Sequence, residues 1–446
     1  MSAVGEQFDE SKLWTGRRVH FVGIGGCGMS GLALVAAQLG ATVSGSDTKR
    51  SIFFDSLHDT GLIELHLGHD TGNLPAAGEI VYSSAIRSDN VERAAANERG
   101  LTELHRSALL AQLTRMNRTI AVAGAHGKTT TAALLAYVLD QAGLQPTYIV
   151  GGLLRKPALH ARAGAGRLLV IEADESDRSL LDYAVNIALI TNVDLDHVGD
   201  AGGYESKDDV ADVLARFAKG ADLTVGSQQA ADELGERLPE LVTAVPARTA
   251  NPTAFVLDDE TYDLSLPGWH NAENAALVVR VARELGCSPE AIREALATFP
   301  GLARRFELRG HTTNGAKVFD DYAHHPTEVA AVLQAARSVT TGRVIAVFQP
   351  HLFSRTQQFT TEFAQSLTLA DVTYLEPIYP AREDPAAWDH VSSLDIATAL
   401  PGSGFHYATD RSALATDLAT HTESGDAIVL VGAGDITLLA EQIVTG

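Results

Sequence analysis

The sequence predicts an α/β protein of three domains, and three observations carry that expectation. Three short apolar runs each end in a glycine-rich turn, the turns lie far apart along the chain, and Ala/Leu-rich stretches at helical spacing lie around them. A parallel strand buried on both faces is a continuous apolar run, and a glycine turn at its C-terminal end starts the next helix. At 446 residues the chain is also too long for one core.

The first run, Arg18–Val22, leads into Gly23, Ile24, Gly25, Gly26, Cys27 and Gly28, then a helical stretch over 30–38. The second, 119–123, leads into Gly124, Ala125, His126, Gly127, Lys128, Thr129 and Thr130, with helical spacing over 131–141. Strands are also expected at 168–171, 188–192 and Val344–Phe348, and Pro267-Gly268 opens a helix to about Leu285. The third run, Ala427–Val431, leads into Gly432-Ala433-Gly434-Asp435. Segment 113–118 divides the first unit from the second, and the Pro300-Gly301 break ends the middle one. The expected domains are 1–116, 117–301 and 302–446.

Thirty-four Lys and Arg stand against fifty-six Asp and Glu, a net charge of −22. Such a surface repels phosphate backbones, so no nucleic-acid partner is expected, although a buried loop can still bind a small anion. Cys27 and Cys287 form neither a disulfide framework nor a zinc spacing, which fits a reducing cytoplasm. Residues 1–16 lack the basic head and apolar run of a secretory signal, and no apolar stretch reaches membrane-spanning length. A cytoplasmic chain without membrane insertion is expected.

The loop 124–130 is the sharpest chemical signal. Converging backbone N–H groups and a helix N-terminus bind phosphate, Lys128 adds a point charge, and the Thr129 hydroxyl can ligate Mg²⁺. The standard spacing asks for glycine at position 122, where Val122 stands. Two acidic clusters follow strand ends: Glu172-Ala173-Asp174-Glu175-Ser176-Asp177, and Asp194-Leu195-Asp196-His197. Either alone reads as a solvated loop; together, downstream of a phosphate loop, they point to metal. The turn 23–28 with Asp47 matches the dinucleotide fingerprint, which suggests NAD, yet any pyrophosphate, including that of a UDP-sugar, fits the same cradle. Asn271 and Asn274 could pair with an adenine edge or simply cap a helix. Asp320, Asp321, Tyr322, His324 and His325 crowd one loop, and His351 and Arg355 follow another strand end.

In this order these motifs resemble the Mur ligase family, over about residues 20–436. The resemblance implies a Rossmann-like first domain that binds a UDP-sugar, a central ATPase domain with a parallel sheet, and a Rossmann-like third domain that closes over the site and helps hold an amino acid. It points most closely to members that join L-alanine to the carboxylate of UDP-N-acetylmuramate through an acyl phosphate, with ATP and Mg²⁺, in peptidoglycan precursor synthesis. It assigns residues 23–28, Asp47, Ser83 and Ser84 to the UDP-sugar, and residues 124–130, Asn271, Asn274, Arg305 and Asp321 to ATP. Arg304 and Asp320 are the alternatives to the last two. Thr129, Glu172 and His197 become metal ligands, and Tyr322, His324, His351 and Arg355 the amino-acid pocket. Lys128, Glu172, His197, His324 and Arg355 carry the catalytic roles, in a monomer or weak homodimer.

Two departures stand out. Related ligases often carry a carbamylated lysine on the helix after the second acidic cluster, whereas 210–217 has none, so an unmodified site is expected. Many alanine-adding members have Arg after Gln-Pro-His, and this chain has Leu352, leaving Arg355 for the amino-acid carboxylate. The rival readings are a recycling ligase that joins a peptide to the same sugar, an NAD-dependent dehydrogenase, and a catalytically silent nucleotide-binding regulator.

Overall fold

The computed structural model describes residues 14–195, 203–400, 402 and 404–445. They form two compact units, Met1–Val245 with Asn274–Ala295, and Pro246–Glu273 with Leu296–Gly446.

The first unit holds two sheets. One contains β1 Arg18–Val22, β2 Thr42–Asp47, β3 Glu64–Leu67, β4 Glu79–Tyr82 and β5 Thr102–His105, all parallel in the order β3-β2-β1-β4-β5. The strand order reverses beside β1, so the glycine turn after β1 and the Ser83-Ser84 segment after β4 open at a crevice where ligands bind in such sheets. The other contains β6 Arg118–Ala123, β7 Thr147–Ile149, β8 Ala161–Arg162, β9 Leu168–Glu172, β10 Ile187–Ile190, β11 Leu223–Gly226 and β12 Val242–Thr243. Its order is β12-β11-β10-β6-β9-β7-β8, parallel except for β7 with β8. Placing β6 between β9 and β10 brings the phosphate loop between the two acidic strand ends.

The apolar runs behave as their composition dictates. Phe21, Ile24, Leu32, Ile120, Val122, Leu169, Ile171 and Leu189 are fully or almost fully buried. Each such side chain removed from water contributes about 1.5–3 kcal/mol before entropy is set against it. One core cluster runs from Phe21 and Leu34 to Ala121 and Ile171, so the two sheets share a single packed interior. The helix from the first glycine turn, Cys27–Gln38, starts three residues before the apolar spacing suggested, and Lys128–Gln141 likewise reaches back to the phosphate-loop lysine. Apolar spacing misses those first turns because they present polar groups and glycine. The 113–118 boundary proves to be the end of the helix Arg106–Met116 followed almost directly by β6.

The second unit has a small antiparallel sheet, β13 Ala247–Arg248, β14 Ala254–Leu257 and β15 Glu260–Asp263, which the sequence reading did not single out. Its larger sheet contains β16 Glu307–His311, β17 Lys317–Asp321, β18 Val344–Phe348, β19 Val372–Leu375, β20 His406–Tyr407 and β21 Ala427–Val431. The order is β16-β17-β21-β18-β19-β20, with only β16 antiparallel. The ends of β17, β21 and β18 therefore sit side by side. Among the described residues, no helix is long and apolar enough to cross a membrane.

Candidate active site

The phosphate loop is built by its glycines and clamped by β10. Gly124 has φ +119° and Gly127 φ +80°, backbone that favours glycine. A Cβ at Gly124 would lie 2.7 Å from the Asn192 carbonyl oxygen, and one at Gly127 would lie 2.7 Å from Asn274 Oδ1. Asn192 accepts from the His126 N–H at 2.9 Å and donates back to the His126 carbonyl at 2.9 Å, while His126 Nε2 lies 3.2 Å from Asp194. The helix Lys128–Gln141 begins without a side-chain cap or an acid in its first turn, which leaves its N–H groups for an anion. Ala125 and Thr130 are buried in this loop and first turn.

Lys128 is buried among three acceptors. Its Nζ donates to the Gly124 carbonyl at 2.7 Å and the Ala125 carbonyl at 3.1 Å, and lies 2.9 Å from Glu175 Oε2. Burial alone would push the ammonium down, but Glu175, Asp174 and Glu172 outweigh it and hold the group well above its ordinary value. Thr129 Oγ1 donates to Glu172 Oε2 at 2.9 Å. A Cβ on Gly151 would overlap the Glu172 carboxylate and come within 2.8 Å of Thr129 Oγ1, so any side chain there would displace this pair. The donor set is hard oxygen, as Mg²⁺ requires. His197, the remaining expected ligand, lies outside the described residues. The helix that follows, Lys207–Ala218, starts earlier than the expected 210–217 and does contain a lysine, which pairs with Glu233 at the surface.

The first glycine turn is braced by its own carboxylate. Asp47 Oδ2 accepts from the Gly25 N–H at 2.9 Å, Oδ1 accepts from the Lys49 N–H at 3.2 Å, and Ser51 Oγ donates to the Gly25 carbonyl at 2.7 Å. In the dinucleotide fingerprint the acid reads the ribose; here it buttresses the turn. Gly23 and Ile24 hang from the Ser46 carbonyl, with the Ile24 side chain in the core. Gly26 caps the helix that starts at Cys27, and the Cys27 thiol contacts the Val150 carbonyl at 3.7 Å. Ser83 accepts from the Ile86 N–H, and Ser84 Oγ lies 3.1 Å from His105 Nε2. Sequence reasoning missed His105 and Arg106. Arg106 Nη1 is 3.3 Å from where a Gly28 Cβ would be, and its Nη2 donates to Asp177 at 3.2 Å. A His-Arg pair at the junction of β5 and the next helix was the available signal.

In the second unit, the expected amino-acid residues come together through ring contacts. Tyr322 and His324 meet edge-on with centroids 5.5 Å apart, His324 and His351 at 5.9 Å, and His351 stacks on Tyr379 at 5.8 Å. Burial, then the charges of His324, Arg355, Arg382 and Arg304, push the His351 imidazole down to about 3. Arg304 and Arg305 lie over the Tyr322 ring at 5.0 and 5.4 Å. Such a gathering of cations in a chain of charge −22 suits an anionic group. Tyr379 and Arg382 were not anticipated; a separate loop supplies them. Leu352 itself is buried at φ +70°.

Asp321 accepts from the Phe306 and Ala323 N–H groups at 2.6 and 2.8 Å, so it ties the Arg304-Arg305 turn to the strand end. Burial pushes it up to about 6. Asp320 holds Thr437 at 2.5 Å and lies 3.5 Å from Arg304. Asn271 donates to the Pro267 carbonyl at 2.7 Å as a helix-start brace, whereas Asn274 lies against the phosphate loop. The third glycine turn holds no open cradle, because Cβ atoms at Gly432 and Gly434 would strike Gln349 and Tyr379.

Three family models match in order: "Mur ligase family, catalytic domain" over residues 18–118, "Mur ligase middle domain" over 122–240, and "Mur ligase, glutamate ligase domain" over 304–434. The UDP-N-acetylmuramate–L-alanine ligase of Renibacterium salmoninarum is 41% identical over 94% of each chain, and that of Thermobifida fusca 40% over 96% of each. The crystal structure of UDP-N-acetylmuramate–alanine ligase from Thermotoga maritima superposes with a TM-score of 0.81 at 27% identity, covering 96% of this chain and 98% of the other. With the phosphate loop, its acidic strand ends and three α/β domains in this order, the chain belongs to the Mur ligase family.

Proposed function

We infer that the chain is an ATP-dependent amide ligase that joins L-alanine to the carboxylate of UDP-N-acetylmuramate, giving ADP and phosphate, in peptidoglycan precursor synthesis. The observation that carries this reading is the charged, buried Lys128 in a phosphate loop that shares one core with a second anion-binding turn. The loop presents the γ-phosphate of ATP. The turn at 23–28, with Ser83 and Ser84, holds the acceptor by its UDP end. Asp47 contributes by bracing the turn.

The acceptor carboxylate attacks the γ-phosphorus, forming an acyl phosphate and releasing ADP. Lys128 and the helix N-terminus neutralise the phosphate oxygens, so the step rests on positioning and electrostatics. The alanine amine then attacks the acyl carbon, loses a proton, and expels phosphate. His324 is assigned to that proton, and Arg355, with Tyr322 and His351, to the alanine carboxylate. Thr129 and Glu172, with His197, are assigned to Mg²⁺, whose charge would offset that of the phosphates when bound. Asn274 and Asn271 are assigned to the adenine, and Arg305 and Asp321 to the nucleotide. The domain division 1–116, 117–301 and 302–446, a cytoplasmic location and a monomer or weak homodimer belong to the same reading.

The test is ADP release with UDP-N-acetylmuramate and each of L-Ala, L-Ser and Gly. Release with L-Ala is expected; no ADP with any of the three overturns the assignment. NAD should give no binding signal. Competition between L-Ala and a tripeptide separates this reading from the recycling ligase.

A further inference from the structure

We propose that Glu383 is a positioning residue for Arg355, capping the short helix that carries this guanidinium, a role that rests on the assignment of Arg355 to the alanine carboxylate. The helix Phe353–Gln358 follows β18 and opens at Leu352, which stands at φ +70° and offers no side-chain cap. Its first turn contains no acidic residue, so its first N–H groups need partners from elsewhere. A single distant side chain supplies them. Glu383 Oε2 accepts from the Phe353 N–H at 2.5 Å and the Ser354 N–H at 3.2 Å, and Oε1 accepts from Ser354 Oγ at 2.5 Å. One carboxylate thus takes three donors from two residues, and Arg355 is the next residue along. A negative group at this end also suits the helix dipole.

Six residues are too few to hold a helix by themselves, so its direction is set by what it is tied to. The loop that carries Glu383 is itself fastened to the end of β18. The Tyr379 N–H donates to the Pro350 carbonyl at 2.8 Å, the Leu352 N–H donates to the Tyr379 carbonyl at 3.0 Å, and the Tyr379 ring stacks on His351. The Glu383 N–H then donates to the Pro380 carbonyl at 2.9 Å, closing a turn through Ala381 at φ +50°. This turn places the carboxylate over the helix start. The Arg355 charge reaches His351 in the same pocket, so the helix that Glu383 holds is the one that brings Arg355 there. Glu383 acts through the direction of that helix.

Steady-state kinetics of the full chain test this, with Glu383→Gln, Glu383→Ala, Arg355→Ala and the two double variants. Glu383→Gln keeps the shape but has one acceptor oxygen where three donors converge. It should raise the KM for L-alanine on the order of threefold to thirtyfold, the effect of a lost cap, and Glu383→Ala at least as much. The kcat and the KM for ATP should stay near the parent's. In the Arg355→Ala background the Glu383 substitutions should add nothing, because their effect runs through that guanidinium. The proposal is overturned if the alanine KM ignores both Glu383 substitutions, if the KM for ATP rises by the same factor, or if the full effect persists without Arg355. Where Glu383→Ala does not fold, the isosteric Gln variant carries the same test. An alanine KM indifferent to Arg355→Ala overturns the pocket assignment itself, and this proposal with it.

Discussion

Lys128 Nζ lies 2.9 Å from Glu175 Oε2, and both side chains are buried. On the proposed reading of the loop, Glu175 is the group that a nucleotide phosphate would displace from the ammonium. Tyr204 fixes the carboxylate's own backbone by donating to the Glu175 carbonyl at 2.6 Å. Replacing Glu175 with Gln leaves a buried ammonium without its nearest counter-charge, at a cost of about 3 kcal/mol. The variant should melt lower than the parent, and ATP should raise its melting temperature by more than it raises the parent's. An equal or smaller ATP-induced rise, measured by scanning calorimetry, would contradict this account. Lys128→Ala should abolish turnover while UDP-sugar binding stays nearly intact.

Thr129 and Glu172 are joined at 2.9 Å over Gly151, where a Cβ would displace both side chains. Thr129→Val keeps the shape and removes the hydroxyl, so activity should need about tenfold more Mg²⁺, while Thr129→Ser should stay near the parent. Gly151→Ala should lower kcat without loss of UDP binding. Activity titrations against Mg²⁺ read both effects, and an unchanged Mg²⁺ requirement in Thr129→Val would remove Thr129 from the metal set.

The amino-acid pocket makes a prediction split between KM and kcat. Arg355→Ala should raise the KM for L-alanine on the order of tenfold or more, through loss of a charge-assisted contact to the carboxylate, with the KM for ATP unchanged. Because His351 is pushed down to about 3, it is neutral across the working range and should add no limb to the pH profile above pH 5. An alanine KM that ignores the Arg355 change would place the carboxylate elsewhere.

Glu92 supplies a pH-dependent term in stability. It is fully buried, and its carboxylate accepts from Ser46 Oγ at 2.5 Å and Asn73 Nδ2 at 2.7 Å, with His69 Nδ1 at 3.0 Å. Burial raises it, but the nearby His20 ring and the hydrogen bonds from Ser46 and Asn73 outweigh it, taking it from 4.5 to about 2. A depressed carboxylate stabilises the fold above its unfolded value, so this contribution is full above pH 4.5 and is lost as pH falls toward 2. Glu92→Gln should be less stable at pH 7, and the gap to the parent should close across that window. Denaturant titrations at pH 7 and pH 3 measure it; a gap independent of pH would mean that packing, not ionisation, sets the role of Glu92.

Legibility followed how local each cause is. The buried strands Arg18–Val22, Val344–Phe348 and Ala427–Val431 have the bounds their apolar runs suggest, because burial on both faces leaves no other pattern. The phosphate loop was legible because glycines, Lys128 and Thr129 are contiguous. What escaped was the work done across the sheet. Asn192 clamping His126, Glu175 facing Lys128, and Asp47 bracing Gly25 depend on which strands become neighbours. Tyr379 joins His351 only because a loop returns beside β18. The small sheet from Ala247 to Asp263 was missed because its strands, two to four residues long, are too short to show a period.

The central claim is that the acceptor carboxylate is phosphorylated before the amide forms. With UDP-N-acetylmuramate carrying ¹⁸O in its lactyl carboxylate, one labelled oxygen should appear in inorganic phosphate for each amide made, read by mass spectrometry or ³¹P NMR. Amide formation with no label in phosphate would contradict an acyl-phosphate route.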